Sequence, residues 1–164
     1  MKKTILRRTD VEHDLLIDDD LHPILKKIYC ARGVRSAKEL ELNFTHLLPF
    51  QGLLGIEKAA QLLANALAEK KRIVIIGDFD SDGATSTALA VRALKAFGCE
   101  DVHYIIPNRF EYGYGLTPEI VAVAAQLNPD VLVTVDSGIA SHAGVDAALA
   151  AGMQVIITDH HLPA

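Results

Sequence analysis

Tryptophan is absent from this chain of 164 residues, and cysteine occurs only twice. Cys30 and Cys99 lie far apart and fit no Cys-x-x-Cys metal or redox motif, so we expect buried, reduced thiols. No apolar run approaches the roughly 20 residues that cross a membrane. The charged amino terminus, Met1–Arg8, lacks the apolar segment and cleavage site of a secretory signal. These absences predict a cytoplasmic protein.

The chain also lacks an excess of positive charge. Its formal net charge is -5, so any nucleic-acid contact has to come from a local patch. Basic residues do cluster near the amino terminus, at Lys26, Lys27, Arg32, Arg35 and Lys38. Such a cluster could contact a phosphate backbone, although charge clusters on small helices are usually only solvated faces.

Two regions differ in their residue patterns. Residues 1–69 carry helical signals without a strong strand signal, at Pro23–Tyr29, a capping box from Ser36 to Glu39, and Ile56–Ala68. From residue 70 onward, short β-branched runs alternate with alanine-rich helical segments. We therefore expect a helical amino-terminal extension over residues 1–69 and an α/β domain over residues 70–164.

The α/β region contains four predicted strands and three predicted helices. The strands are Ile73–Ile76, Val102–Ile106, Val131–Val135 and Gln154–Thr158. The helices are Ala84–Phe97, Pro118–Leu127 and Ala143–Ala151. Strand, helix and strand at this spacing predict right-handed crossovers and a mainly parallel sheet with helices on both faces.

Polar and metal-binding side chains follow the carboxyl end of every predicted strand. They are Asp78, Asp80 and Asp82 after the first strand, Asn108 and Arg109 after the second, Asp136 after the third, and Asp159, His160 and His161 after the fourth. Open parallel sheets bind ligands in the crevice at this edge. Two like charges about 4 Å apart cost about 1 kcal/mol in water and about 4 kcal/mol near a protein surface, so three neighbouring carboxylates indicate a bound cation.

The donor set indicates which cation. Aspartate and histidine together are typical ligands of Mn²⁺ or Mg²⁺, and imidazole makes Mn²⁺ the first choice. Their number exceeds what one ion requires, which predicts two ions about 3.5–4 Å apart with Asp136 as the bridge. A calcium-binding EF-hand loop is excluded, because its bidentate glutamate would fall at Leu89. Taken alone, Asp136 would be equally consistent with an ordinary turn residue.

The connection from Asn108 to Gly115 carries an arginine and two tyrosines. The guanidinium of Arg109 could form paired hydrogen bonds with a phosphate. Tyr112 and Tyr114 could stack on bases, although packing is the commoner role for single aromatic residues in a loop. Both interpretations of the tyrosines stay open at the level of sequence.

Three motifs resemble those of the DHH phosphoesterases, a family named for its Asp-His-His triplet. They are Gly77–Gly83, Val135–Gly138 and Asp159–His161. Three further sequence segments are similar to the amino-terminal part of a bacterial single-strand-specific exonuclease: Arg32–Ala37, Pro107–Phe110 and His160–Pro163. This resemblance covers almost the whole chain. It implies hydrolysis of phosphodiester bonds in single-stranded DNA from the 5′ end, in repair and recombination.

The resemblance also implies a role for each candidate residue. Among the metal ligands, Asp80 and Asp82 would each hold one ion, Asp136 would bridge the ions, His160 would complete the second site, and Asp78 would support the first. Among the remaining residues, His161 would contact phosphate or assist the chemistry, Asn108 and Arg109 would bind and orient the substrate, and Asp159 would orient the histidines.

Two departures from the family pattern modify these expectations. Ser137 stands where we would expect an asparagine beside the bridging aspartate. The fourth motif of the family and its second domain would follow His161, so we expect a fragment truncated at its carboxyl end, with weak or no hydrolysis of DNA.

Three other functions remain open from the sequence. One is a DHH-type pyrophosphatase or (di)nucleotide phosphodiesterase. Another is a haloacid-dehalogenase-like phosphotransferase with Asp80 as a covalent nucleophile, since Asp80–Gly83 matches its Asp-x-Asp-Gly pattern. The last is a binding or regulatory module without catalysis, for which Asp136 would be dispensable.

Overall fold

The computed structural model describes residues 21–163, and the Met1–Arg8 segment considered above lies outside them. Contacts divide the chain into two compact units, residues 1–52 and residues 53–164. This division groups residues 53–69 with the α/β region, whereas the sequence places the boundary between residues 69 and 70. Within the described part of the chain, no helix combines the length and apolar character needed to cross a membrane.

Over residues 21–52 the first unit contains several short helical segments. Helix α1 (Pro23–Ala31) has a proline in its first turn and is capped by His22. Three 3₁₀ turns follow, at Ala37–Leu40, Phe44–His46 and Phe50–Gly52. The predicted capping box leads into a 3₁₀ turn instead of an α-helix, and Glu39 accepts a hydrogen bond from the Ser36 hydroxyl at 3.2 Å.

The second unit is a four-stranded sheet with helices packed against it. Its helices are α2 (Ile56–Ala68), α3 (Ser81–Ala96), α4 (Arg109–Tyr112), α5 (Pro118–Ala125) and α6 (His142–Ala150). Its strands are β1 (Ile73–Ile76), β2 (Val102–Ile105), β3 (Val131–Val135) and β4 (Gln154–Thr158). All strand pairs are parallel, in the order β2-β1-β3-β4.

The central strands, β1 and β3, are buried along their whole length. A parallel strand covered on both faces needs apolar side chains at every position, which explains their β-branched runs. Ile73 and Ile75 pack with residues of α2 and α3, whereas Val74 and Ile76 pack with residues of α5 and α6. The predicted α/β fold, with a parallel sheet and helices on both faces, is confirmed.

The sheet also has a topological switch point between β1 and β3. The chain leaves β1 through α3 to reach β2 on one side, and it then crosses to β3 on the other side. Ligands bind where the strand order reverses in this way, outside the carboxyl ends of the strands. Asp78 and Asp80 follow β1, and Asp136 follows β3, so the acidic residues stand at the switch point.

Helices α3 and α4 differ from what the sequence pattern indicates. Helix α3 starts at Ser81 because the Asp80 carboxylate accepts the Gly83 N–H at 3.1 Å and caps the helix. Helix α4 lies within the predicted loop, and the Asn108 side chain caps it by accepting the Phe110 N–H at 3.1 Å. Asparagine and aspartate stabilise helix starts in this way.

Both cysteines are free and buried, as expected. Burial raises the pKa of the Cys99 thiol, which keeps it protonated and unreactive at neutral pH.

Candidate metal centre

Two groups of side chains in the described part of the chain stand close enough to hold metal ions. Asp78, Asp80 and Asp136 each offer a carboxylate oxygen, and these oxygens lie within 4.8 Å of one another. Asp136, His160 and His161 offer ligand atoms within the same distance. Because Asp136 belongs to both groups, the arrangement resembles two sites joined by one carboxylate.

Two glycines, Gly77 and Gly83, allow close packing around the turn after β1. A Cβ on Gly77 would lie 2.1 Å from Thr87 Oγ1 and 2.7 Å from Ile106 Cδ1. A Cβ on Gly83 would lie 2.5 Å from the backbone oxygen of Asp78. These glycines therefore let α3 approach the end of β1, which brings Asp78 and Asp80 together. The Asp78 carboxylate accepts the Phe79 N–H at 2.8 Å.

Asp80 has its charge stabilised by the helix that it caps. The hydrogen bond from the Gly83 backbone N–H lowers the pKa of the Asp80 carboxyl, and the nearby positive charge of Arg109 contributes in the same direction. Asp80 is therefore a carboxylate at neutral pH, which is the form that binds a cation.

Asp136 has a left-handed backbone conformation, with φ of 59°. Aspartate adopts this conformation less readily than glycine, so surrounding contacts must hold it. The buried Thr134 hydroxyl donates to the Ser137 carbonyl at 2.7 Å, and Tyr114 donates its hydroxyl to the Asp136 carbonyl at 3.1 Å. The Ser137 hydroxyl reaches the Val135 carbonyl at 3.5 Å, so the serine bonds to backbone within its own turn.

The two neighbouring histidines have different partners. His160 Nε2 lies 2.8 Å from the Asp136 carboxylate. His161 Nδ1 lies 2.6 Å from the Asp159 carboxylate, which also accepts the Ile139 N–H at 2.9 Å. Burial opposes ionisation of Asp159, but backbone N–H groups of His161 and Ile139 hold its pKa below the usual value. Its hydrogen bond to His161 raises the pKa of that imidazole.

Arg109 belongs to the same cluster. Its Nη2 lies 2.6 Å from Asp78 Oδ2. The guanidinium also lies over two aromatic rings, 4.3 Å from the Phe79 centroid and 4.8 Å from the Tyr114 centroid. Helix α4 thus presents a cation that is oriented by one carboxylate and two rings. A cavity of about 470 Å³ opens here, lined by Arg109, Asp80 and His161 among others.

Two sequence candidates stand apart from these groups. Within residues 21–163, Asp82 belongs to neither of the two groups of side chains that could hold a metal ion. Asp82 lies in the first turn of α3 and lines a second cavity, of about 330 Å³, together with Asp136 and His160. The Asn108 side chain caps α4, so its contribution is to place Arg109.

Sequence reasoning missed the part that Tyr114 plays. Its hydroxyl lies between the Asp136 carbonyl and His161 Nδ1, at 3.1 and 3.2 Å. Gly113 and Gly115 flank it, both with φ of 78°. An aromatic residue between two glycines in a connection near the site was the available signal. Thr134 gave no signal, because a threonine inside a buried strand looks like any other β-branched residue.

The fold and the acidic centre together define a class of protein. The model of the DHH family, N-terminal domain, matches residues 72–164. The chain therefore belongs to the DHH family. This membership argues against the haloacid-dehalogenase interpretation of Asp80.

Particular relatives are similar over the whole chain. The single-stranded-DNA-specific exonuclease RecJ of Escherichia coli (strain K12) is 52% identical over 99% of this chain. RecJ of Haemophilus influenzae is 44% identical, again over 99% of this chain. The chain spans 28% of the length of each of these relatives.

Two solved structures have a similar fold. One is the exonuclease RecJ bound to manganese, with a TM-score of 0.65 and 46% identity, covering 72% of this chain and 30% of that chain. The other is RecJ of Thermus thermophilus in complex with Mn²⁺, with a TM-score of 0.60 and 40% identity, covering 87% of this chain and 19% of that chain.

Proposed function

We propose that this chain forms the metal-binding amino-terminal part of a two-metal phosphodiesterase that removes nucleotides from the 5′ end of single-stranded DNA. We assign residues 1–69 to its amino-terminal extension and residues 70–164 to its DHH-type domain, with α2 of the extension packed against the sheet. The observation that carries the proposal is that Asp136 belongs to both groups of side chains that lie close enough together to hold a metal ion. RecJ relatives at 44–52% identity supply the substrate class.

The residues fit a pair of divalent cations. Asp78 and Asp136 are each only 8% exposed, and their ligand oxygens lie within 4.8 Å of each other. Buried carboxylates this close together repel one another unless a cation neutralises them. Arg109 supplies one positive charge beside Asp78. The negative charges of the other two carboxylates in the group, Asp80 and Asp136, are left for a bound cation to neutralise. The carboxylate ligands suit Mn²⁺ or Mg²⁺, and the imidazole ligand favours Mn²⁺ over Mg²⁺ and Ca²⁺, which prefer oxygen ligands.

Each ion has a proposed set of ligands. The first is held by Asp78, Asp80 and Asp136. The second is held by Asp136 and His160, with Asp82 as a further ligand from the wall of the same cavity. Bound there, the cations would supply Lewis-acid stabilisation of phosphoryl charge and a lowered pKa for water.

The surrounding side chains bind and orient the substrate. Arg109 presents its guanidinium to phosphate oxygens in the cavity that it shares with His161. Asn108 supports this contact by starting the helix that carries Arg109. His161 has its Nδ1 held by Asp159, which orients the imidazole to contact phosphate or to carry a proton.

The setting of the reaction follows from the substrate. Single-stranded 5′ ends arise during DNA repair and recombination, and we place this chain in those processes, in the cytoplasm. Single-stranded DNA is the only partner that we propose.

Calorimetric titration with Mn²⁺ tests the metal centre. The wild-type chain is expected to give saturable binding, and Asp136→Asn is expected to weaken it strongly. Asp146→Asn, the same substitution on the exposed side of α6, is the matched control and should bind as the wild type does. Equal binding by the wild type and Asp136→Asn would contradict the proposal.

A binding assay tests the substrate class separately. Fluorescence anisotropy should show tighter binding of a 5′-phosphorylated single strand than of a blunt duplex of the same sequence. Preference for the duplex would exclude the single-strand assignment while leaving the metal centre intact.

A further inference from the structure

An apolar cleft lies beside the metal centre, and neither the core nor the proposed chemistry uses it. Its volume is about 330 Å³, and it shares Asp78 with the acidic cluster. The rest of its wall is formed mainly by Phe79, Ala84, Ala88, Val91, Tyr104 and Ile106. These residues come from the turn after β1, the exposed side of α3 and the end of β2, all within the second unit.

The large side chains of this cleft are unusually exposed for apolar groups. Phe79 is 54% exposed, Tyr104 is 60% exposed and Ile106 is 39% exposed. Single exposed apolar residues need no explanation, but a contiguous concave group at the rim of a site indicates ligand binding. Two of the three are aromatic, and aromatic rings can stack on a planar ligand.

Two guanidinium groups lie close to the cleft. The Arg109 guanidinium lies 4.3 Å from the centroid of the Phe79 ring, which lines the cleft, so the cleft adjoins the proposed phosphate site. Arg92 stands at the rim and forms no ion pair with any residue between 21 and 163. An apolar cleft with guanidinium groups nearby is complementary to a ligand that joins a flat apolar group to phosphates.

We propose that this cleft binds the nucleobase of the nucleotide whose phosphate lies at Arg109. The inference rests on the proposed function and names a part of its substrate site. Stacking on aromatic rings is possible for every base, so the cleft would hold the strand without selecting a sequence.

Methyl NMR of the whole chain locates the base directly. Thymidine 5′-monophosphate is expected to shift the methyl signals of Ala84 and Ala88, whereas inorganic phosphate alone should leave them unchanged. The rival position is the larger cavity beside Arg109, which Ile139 and Ala140 line. Shifts confined to Ile139 and Ala140 would overturn the inference.

A pair of variants gives the corresponding affinities. Tyr104→Ala is expected to weaken binding of thymidine 5′-monophosphate at least about fivefold and to leave phosphate binding unchanged. The control is Leu89→Ala, which removes a side chain that is 70% exposed on α3 and does not line the cleft. It should bind both ligands as the wild type does.

The outcomes separate this inference from the proposed function. If Mn²⁺ binding is normal but Tyr104→Ala binds thymidine 5′-monophosphate as tightly as the wild type does, only the base cleft is overturned. The same holds if Mn²⁺ binding is normal and the wild type binds no nucleotide. Absence of Mn²⁺ binding by the wild-type chain contradicts the proposed function instead. A circular dichroism melt of Tyr104→Ala identifies any loss caused by unfolding, and Ala88→Phe, which fills the cleft from its rim, then provides the same test.

Discussion

Arg109 Nη2 and Asp78 Oδ2 lie 2.6 Å apart, which joins the helix after β2 to the acidic turn after β1. The Asp78 side chain is 10% exposed and that of Arg109 is 39% exposed, so the pair lies at the boundary between the buried carboxylates and the open cavity. The same guanidinium is proposed to bind phosphate, and Asp78 is proposed to bind a cation. Each ligand therefore competes with the ion pair.

Arg109→Gln should move the two affinities in opposite directions. Mn²⁺ binding should strengthen, because the guanidinium no longer competes for Asp78 or repels the ion. Phosphate binding should weaken by about 1.5–3 kcal/mol, the usual contribution of a hydrogen bond to a charged group. Calorimetry with each ligand measures both, with Lys95→Gln as the charge control. Weakening of both affinities would show that Arg109 acts only as a structural support.

Thr134→Val tests whether the turn around Asp136 is held by its hydrogen bond. The substitution keeps the shape of a buried side chain but leaves the Ser137 carbonyl without its donor, at a cost of about 1–3 kcal/mol in stability. We expect weaker Mn²⁺ binding as well, because Asp136 then loses support for its left-handed conformation. Thr134→Ser retains the hydroxyl and should restore metal affinity. If Thr134→Ser binds Mn²⁺ no better than Thr134→Val, the hydrogen bond is not what positions Asp136.

Gly77→Ala should destabilise the fold through a direct clash. The new methyl group would meet Thr87 Oγ1 at 2.1 Å and Ile106 Cδ1 at 2.7 Å, and overpacking of this kind costs about 1–3 kcal/mol. Urea denaturation measures the loss. Gly52→Ala is the control, because nothing lies within 4 Å of its added Cβ. A smaller loss for Gly77→Ala in a Thr87→Ala background would identify Thr87 as the clashing group.

Asp101 lies at the end of the sheet opposite the site, and its ionisation makes the stability of the fold depend on pH. Arg72 Nε donates to its carboxylate at 2.8 Å. This hydrogen bond, together with one from His103, lowers the pKa of Asp101. The stabilisation is therefore present above about pH 4, the ordinary aspartate value, and is lost as the pH falls through the lower folded value.

Asp101→Asn should consequently be less stable than the wild type at pH 6, and the difference should shrink towards pH 2. Denaturant midpoints at several pH values measure it, with Asp146→Asn as the charge-matched control. A difference that stays constant over this range would mean that the ion pair with Arg72 contributes nothing to stability.

Much of this architecture follows from local patterns. The β-branched runs predict the four strands to within one residue. In the central strands β1 and β3 the runs are almost entirely apolar because both faces are buried. The acidic edge follows from the rule that parallel strands point their carboxyl ends the same way. Helix α4 and the Asn108 cap were missed, because a four-residue helix leaves no periodic pattern to detect.

Other features depend on contacts between residues that are distant in the chain. Tyr114 reaches the Asp136 carbonyl across 22 positions, and no spacing rule indicates such a bond. The left-handed conformation of Asp136 is held by those same contacts. The base cleft combines residues from the turn after β1, from α3 and from the end of β2, so it becomes visible only once the helix is placed on the sheet.

The central claim is that Asp136 joins two metal ions, and electron paramagnetic resonance of the Mn²⁺-loaded chain tests it most directly. Titration should reach about two ions per chain, as expected for a two-metal site, with the broadened spectrum of exchange-coupled Mn²⁺. Asp136→Asn should lose the coupling, whereas Asp146→Asn should keep it. One ion per wild-type chain, or coupling that survives in Asp136→Asn, would contradict the account.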